Sequence, residues 1–144
     1  MSDRPAAAAP DLAEARRRLR ADDREAAETL LRAALAAHPD DAEALHLLAV
    51  ARLGAGEVAE ALALAERAVA AGATALSLNT LGSLRLRTGD GAGARRAFED
   101  ALALDPDLVE ARLNLADALL AGDETEAAEA HYRTVLVSLN LHEF

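Results

Sequence analysis

The stretch "RRAFEDALALDPDLVEARLNLADALL", residues 95–120, contains two helix-like runs separated by a proline. Apolar residues recur at spacings of three and four on both sides of Asp105-Pro106-Asp107, as they do in amphipathic helices. Proline lacks a backbone donor and disfavours helical geometry in the residue before it, so the first helix must end here. The stretch therefore predicts either a single helical hairpin or one joint of a repeating unit.

A repeating unit requires the same joint elsewhere, and the joint recurs. Residues 31–49, "LRAALAAHPDDAEALHLLA", align with residues 98–116 without a gap, so that their prolines coincide. The offset of 67 residues is close to twice a repeat period of about 34. Residues 78–102 match residues 45–69 at an offset of 33 residues, which is one repeat. The pattern predicts four repeats, each of two antiparallel helices A and B, at about 8–41, 42–74, 75–108 and 109–142.

Small residues occupy the same two places in every repeat, which lets paired helices approach closely. In the A helices these are Ala15, Ala49, Gly82 and Ala116, and in the B helices Ala27, Ala61, Ala94 and Ala128. The turns from A to B are expected to need a left-handed residue or a helix cap. The candidates at these turns are Asp22, Gly56, Gly89 and the pair Gly122-Asp123.

The composition independently predicts an all-α fold. Hydrophobic residues make up 52% of the chain and aromatic residues only 2%, with alanine the main apolar residue. Strands favour valine, isoleucine and tyrosine, which are scarce, whereas alanine is the best helix former. At 144 residues the chain is long enough for one domain.

The formal charge of −10 argues against a nucleic-acid or anionic-membrane partner. All 15 cationic side chains are arginine, which is also typical of a GC-rich coding bias, and the absence of cysteine excludes disulfide and thiol chemistry. No apolar run reaches the roughly 18 residues of a membrane-spanning helix. We expect a soluble cytoplasmic protein without membrane insertion, with a disordered Ala/Pro-rich head at 1–10 and a repeat domain at 11–144.

The third repeat carries the pattern most fully. Its matching residues are Leu78, Leu81, Gly82, Ala94, Phe98, Ala101 and Pro106. This pattern resembles the tetratricopeptide repeat family, W-x2-L-G-x2-Y, then A-x3-F, A and P, with Arg85 in place of the tyrosine. The resemblance covers about residues 11–140 and implies an α-solenoid, a right-handed superhelix of about four stacked helix pairs.

Two repeats depart from this pattern. In the first repeat Glu14 stands where the others have leucine, which predicts a frayed, polar first A helix. The second repeat is one residue short around "AAGAT", so its exit turn should differ. Neither departure changes the expected architecture.

No catalytic, cofactor-binding or metal-binding constellation is found. The histidines His38, His46, His131 and His142 do not share metal-ligand spacing with one another and a carboxylate. His38 is expected near the last carbonyls of a helix, and His131 is expected to face solvent. The segment "GDGAG", residues 89–93, lacks the flanking strand and lysine of a phosphate loop and is better explained as a turn. We therefore expect no cofactor and no enzymatic activity.

The family resemblance implies that the A helices line a concave groove, entered by the second, fifth, ninth, twelfth and thirteenth residues of each repeat. The groove mixes leucines and a valine with polar groups, which suits an extended or helical peptide. The apolar positions include Leu76, Leu86, Leu113 and Leu120. The candidate partner-contacting residues are Arg16, Arg20, His46, Val50, Asn79, Ser83, Arg87 and Asp117, with Asn114 at the edge. One subfamily of these repeats binds the C-terminal carboxylate of chaperones with lysines and asparagines at fixed groove positions. This chain has no lysine, so we do not expect it to have that function.

The leading hypothesis is a protein–protein interaction module: an adaptor, co-chaperone or assembly factor with a protein or peptide partner. The alternative is a helical segment of a larger enzyme, such as a bacterial sulfotransferase or hydroxylase, whose catalytic part is absent from this chain. If Phe144 is the natural end, we expect the enzyme hypothesis to fail.

The end of the array predicts a further contact. Leu35, Val69, Leu102 and Leu136 occupy one equivalent place on the B helices, which in this family packs on the next repeat. Leu136 has no next repeat, so Leu136, Leu139, Leu141 and Phe144 lack an evident cover. Either the tail folds back over Leu136 or two molecules pair as a homodimer through this end, and pairing is favoured because few residues remain for a covering helix.

Overall fold

The computed structural model of the chain describes residues 11–140. The head at residues 1–10, expected to be disordered, lies outside the described residues, as do Leu141, His142 and Phe144. The chain divides into two compact halves, Met1–Ala71 and Gly72–Phe144.

Residues 11–140 form eight α-helices and contain no strand. In the N-terminal half these are α1 (Ala13–Arg20), α2 (Arg24–Ala37), α3 (Ala42–Gly54) and α4 (Val58–Gly72). In the C-terminal half they are α5 (Ala75–Arg87), α6 (Gly91–Leu104), α7 (Val109–Ala121) and α8 (Thr125–Asn140). The odd-numbered helices are the predicted A helices and the even-numbered ones the predicted B helices, so the all-α prediction is confirmed.

Each of the four A-to-B turns contains one residue with a left-handed backbone. These residues are Asp22 (φ 59°), Gly56 (φ 83°), Gly89 (φ 88°) and Asp123 (φ 62°). The N–H of the following residue bonds back to a carbonyl in the last turn of the A helix, for example Glu57 to Arg52 at 3.0 Å. This bond closes the helix as in the Schellman motif, which needs a left-handed residue at that place. At the fourth turn the left-handed residue is Asp123 and not the preceding Gly122, whose φ is −90°.

The B-to-A links fall into two kinds. Four residues, 38–41 and 105–108, join α2 to α3 and α6 to α7, and each link contains a proline. The link from α4 to α5 has only two residues, 73–74, and ends in a capping box. There the Thr74 hydroxyl accepts from the Ser77 N–H at 3.0 Å, and Ser77 Oγ accepts from the Thr74 N–H at 2.9 Å. The shorter second repeat therefore exits differently, as its sequence predicts.

The places predicted to need small residues are buried in all four helix pairs. The A-helix set is Ala15, Ala49, Gly82 and Ala116, and the B-helix set is Ala27, Ala61, Ala94 and Ala128. In the C-terminal half, α6, α7 and α8 share a core to which Phe98, Leu115 and Leu119 contribute. Close helix approach is thus how an alanine-rich chain with few aromatic residues builds its core.

The first A helix is short but formed. α1 has 8 residues where the other A helices have 13. Its Glu14 accepts hydrogen bonds from Arg17 Nε at 2.8 Å and Arg18 Nε at 2.9 Å instead of packing into the core. Fraying was expected, but residues 13–20 are helical throughout.

Candidate functional site

In the C-terminal half, the predicted partner-facing positions lie on α5 and α7, which pack side by side. Their spacing of three and four residues places them along one side of each helix. We call this surface the C-terminal A-helix face. It is defined by Leu76, Asn79, Ser83, Leu86 and Arg87 on α5, and by Leu113, Asn114, Asp117 and Leu120 on α7.

Asn79 and Asn114 join the two helices of this face. Asn114 Nδ2 donates to Asn79 Oδ1 at 2.9 Å, and Asn79 is only 5% exposed. We expected Asn79 to face the groove without a packing role, and the structure corrects that expectation. A buried amide needs a partner, and the Asn114 side chain supplies it. The polar character of Asn79 is therefore explained by contact between the helices.

Large apolar side chains on the same face remain exposed to solvent. Leu76 is 55% exposed, Leu86 39%, Leu113 38% and Leu120 48%. Ser83 is half-buried, and Arg87 and Asp117 are exposed. This combination offers apolar contact area together with one cation and one anion, the mixture that peptide-binding grooves use.

Asp117 also connects this face to α8. Its carboxylate accepts a hydrogen bond from the hydroxyl of Tyr132, and this bond raises the pKa of Tyr132 because it holds the phenolic proton. Tyr132 packs against the core of α6, α7 and α8. The carboxylate of Asp117 is thus fixed in position while it remains exposed.

In the N-terminal half, the predicted positions lie on α1 and α3. Arg16 forms an ion pair with Glu43, which joins the two A helices. His46 is half-buried, and burial lowers its pKa, with Glu43 acting in the opposite direction. Val50 is 39% exposed and Arg20 is exposed. The predicted residues of this half thus form a second surface that mixes polar and apolar side chains.

Within residues 11–140, no group of three or more histidine, cysteine, aspartate or glutamate side chains could hold a metal ion. None of the helices in the same range has both the length and the apolar character needed to cross a bilayer.

His131 was expected to face solvent, and the structure shows it only partly exposed. The ring is half-buried, and its Nδ1 lies 3.2 Å from Nη1 of Arg112. Burial and the neighbouring Arg112 guanidinium lower the pKa of His131, with Glu99 acting in the opposite direction. Arg112 was not singled out from the sequence. A position-by-position comparison of the repeats could have found the pair, since leucines occupy the equivalent places, Leu45 and Leu64.

Comparison with known families and structures agrees with this architecture. A family model described as tetratricopeptide repeat matches residues 12–75 and 79–139. No curated protein matches the chain. The crystal structure of MamA is similar with a TM-score of 0.81 at 18% identity, over 92% of this chain and 79% of MamA.

Two further solved structures extend the comparison. YrrB, described as a TPR protein with an unusual peptide-binding site, gives a TM-score of 0.75 at 20% identity, over 84% of this chain and 63% of YrrB. An O-GlcNAc transferase mutant from Thermobaculum terrenum gives 0.71 at 32% identity, over 75% of this chain but 21% of the transferase. These likenesses confirm the predicted fold class, an all-α solenoid of antiparallel helix pairs.

Proposed function

Because this chain belongs to the tetratricopeptide repeat family, we propose that it is a non-catalytic adaptor, co-chaperone or assembly factor that holds a segment of a partner protein against its A helices. The family fold is that of a protein–protein interaction module. The proposal adds where the partner binds and what kind of segment it is.

The exposure of apolar side chains on the A helices carries this proposal. Within residues 11–140, five large apolar side chains of the A helices are exposed, and all five fall at positions counted as partner-facing. They are Val50, Leu76, Leu86, Leu113 and Leu120. Exposed apolar side chains that no core requires, grouped on one set of helices, are typical of an interaction surface.

The neighbouring polar groups indicate the chemistry of the segment. Arg87 supplies a cation, and Asp117 supplies a carboxylate already oriented by Tyr132. A helical or extended peptide with apolar residues at regular spacing and charges of both signs would complement such a surface. The likeness to YrrB, itself described as peptide-binding, supports this reading.

The proposal is tested by quantitative affinity capture from a native lysate with two matched variants. Leu113→Asp/Leu120→Asp places two charges on the C-terminal A-helix face. Leu30→Asp/Leu104→Asp makes the same change at exposed leucines of α2 and α6. Each variant is first checked for unchanged helical content and melting temperature.

We expect the wild type and the α2/α6 control to recover the same partner, and the A-helix variant to recover at least about tenfold less, as when central contacts are lost. A partner retained by the A-helix variant and lost from the control would place the binding surface on the B helices and contradict the proposal.

The likeness to a transferase supports a second candidate, a helical interaction segment of a larger enzyme. That match covers 75% of this chain but only 21% of the transferase. An antibody against this domain would show the size of the native polypeptide. A band near 15.0 kDa argues against this candidate, whereas a larger polypeptide with a catalytic domain supports it.

A further inference from the structure

A cleft lies in the C-terminal half, away from the positions counted as partner-facing. It opens between α6 and α8 above α7 and has a volume of about 360 Å³. Leu102, Leu115 and Leu119 form its apolar floor, and Arg95, Arg112 and His131 lie at its rim. We call it the B-helix cleft.

The repeat offset of 67 residues relates this cleft to an equivalent place in the N-terminal half that is bridged by ion pairs. At the equivalent place in the N-terminal half, Arg52 on α3 stands where Leu119 stands on α7. Arg52 Nε donates to Glu60 at 2.9 Å, and Arg52 Nη1 donates to Glu28 at 3.3 Å. These ion pairs connect α3 to both α4 and α2.

The C-terminal half cannot make this bridge. Leu119 has no charge, and Ala127 stands where Glu60 stands in the N-terminal half. Arg95 stands in the place of Glu28, so this position carries a positive charge in the C-terminal half and a negative charge in the N-terminal half. The equivalent place is therefore bridged by ion pairs in the N-terminal half, whereas the residues at the B-helix cleft cannot form that bridge.

The rim differs from its equivalent in a second, independent way. Leu45 and Leu64 are 0% and 8% exposed in the N-terminal half, where they serve packing. Arg112 and His131 replace them in the C-terminal half. The N-terminal half shows that this architecture is satisfied by leucine at both places, so the fold itself does not require the polar pair.

Hydrogen bonding determines what the rim can donate. Arg112 Nη2 donates to the Pro106 carbonyl at 3.0 Å, and Nη1 lies 3.2 Å from His131 Nδ1. A guanidinium can only donate, so Nδ1 must accept, and the proton of the neutral ring is on Nε2. His131 Nε2–H can then donate to a ligand. Burial and Arg112, by lowering the pKa of His131, favour this neutral form.

The charge at the rim favours an anionic group. Arg112 supplies this charge, because among residues 11–140 it bonds only to the Pro106 carbonyl and His131 and pairs with no carboxylate. Arg95 bonds to Glu99 and to Glu124, which holds its guanidinium at the edge of the cleft. A ligand that suits both floor and rim has an apolar side chain for the leucines and an oxyanion for the donors.

We propose that the B-helix cleft binds a short segment of a protein partner that presents an apolar side chain beside a carboxylate. The apolar side chain lies on Leu102, Leu115 and Leu119, and the carboxylate accepts hydrogen bonds from the Arg112 and His131 rim. This surface is separate from the A-helix face, so the chain can hold two partner segments at once.

The test uses three blocked tetrapeptides and methyl and histidine-ring NMR of the full chain. Acetyl-Gly-Glu-Leu-Gly-amide carries both groups, the Gln-Leu peptide lacks the charge, and the Glu-Gly peptide lacks the apolar side chain. We expect saturable shifts of the Leu102 and Leu119 methyls and the His131 ring with the first peptide. The other two should bind at least about tenfold more weakly, since each removes one of the two contacts.

Two variants and a control complete the test. Arg112→Leu/His131→Leu restores the leucine pair of the N-terminal half and should abolish the preference for Glu-Leu over Gln-Leu while preserving the fold. Arg95→Glu/Leu119→Arg/Ala127→Glu rebuilds the bridge and should close the cleft. Arg133→Leu removes an exposed arginine of α8 that pairs with Glu129, and should change nothing.

Shifts that do not saturate, or that are equal for the Glu-Leu and Gln-Leu peptides, would overturn the proposal. So would an undiminished response in a folded Arg112→Leu/His131→Leu variant. If the bridged variant does not fold, the leucine-pair variant alone decides the outcome.

Discussion

At the scale of single residues, Gly82 allows α5 to lie against the ring of Phe98. A Cβ atom added at Gly82 would lie 2.4 Å from Phe98 Cε1 and 2.6 Å from Cδ1. Phe98 is fully buried, so its ring has little freedom to move away. The repeat pattern anticipates a small residue here, and the ring gives the reason.

Gly82→Ala should therefore lower the free energy of unfolding by about 1–3 kcal/mol through overpacking, although alanine has the higher helix propensity. Gly91→Ala is the matched control, because a Cβ there meets nothing within 4 Å. Urea unfolding followed by circular dichroism measures both. Equal or increased stability of Gly82→Ala would contradict the packing argument.

Two histidines make stability depend on pH. Burial lowers the pKa values of His46 and His131 below the ordinary value of 6.5, and Arg112 lowers that of His131 further. The unfolded chain consequently binds more protons than the folded chain as pH falls through this range. The stability contributed by the neutral rings is complete above the ordinary pKa and is lost as pH falls through the lowered pKa values.

We expect the free energy of unfolding to fall between about pH 7.5 and pH 5.5, and to fall less in a His46→Gln/His131→Gln variant. Glu14 and Glu60 do not contribute to this pH dependence. Ion pairing with arginine lowers their pKa values below 4.5, which is outside the range from pH 7.5 to pH 5.5. Identical pH dependence in the wild type and the variant would show that neither ring carries the effect.

At the scale of helices, the Asn79–Asn114 bond ties α5 to α7 across the A-helix face. Asn79→Ala would leave the Asn114 amide without this partner and should lower the free energy of unfolding by about 1–3 kcal/mol. Ser83→Ala, on the same face, should change it by less than about 0.5 kcal/mol. A double-mutant cycle with Asn114→Ala should give a coupling near 1 kcal/mol. Additive effects would show that the bond contributes nothing.

The helices and turns could be predicted from sequence because their determinants are local. Gly56 and Gly89 mark turns that need a left-handed residue, and Pro39 and Pro106 mark where B helices end. The Asn79–Asn114 bond could not be predicted, since it depends on the rotation and axial shift between two helices and joins residues 35 positions apart in sequence. The partner-facing positions were predicted from the place of each residue within its repeat. That place assigns a residue to one side of a helix but does not show how deeply its side chain is buried.

At the scale of the whole molecule, α8 carries apolar side chains that no other part of residues 11–140 covers. Leu136 is 58% exposed, Val137 60% and Leu139 54%. Leu102, at the place on α6 equivalent to that of Leu136, is half-buried against the core that α6 shares with α7 and α8. Covering each such side chain would contribute roughly 1.5–3 kcal/mol as an upper bound. We propose that two copies of the chain pair through this surface.

Pairing predicts a dimer in light scattering at about 100 µM that dissociates on dilution. Leu136→Glu should return it to a monomer, whereas Leu104→Glu, at another leucine that is 58% exposed, should not. Each copy carries a formal charge of −10, so the copies repel one another. Salt screens that repulsion, and pairing should strengthen between about 0.05 and 0.5 M salt, opposite to an interface held by ion pairs. A monomer at every salt concentration, unchanged by Leu136→Glu, would reject pairing and leave the surface to another segment.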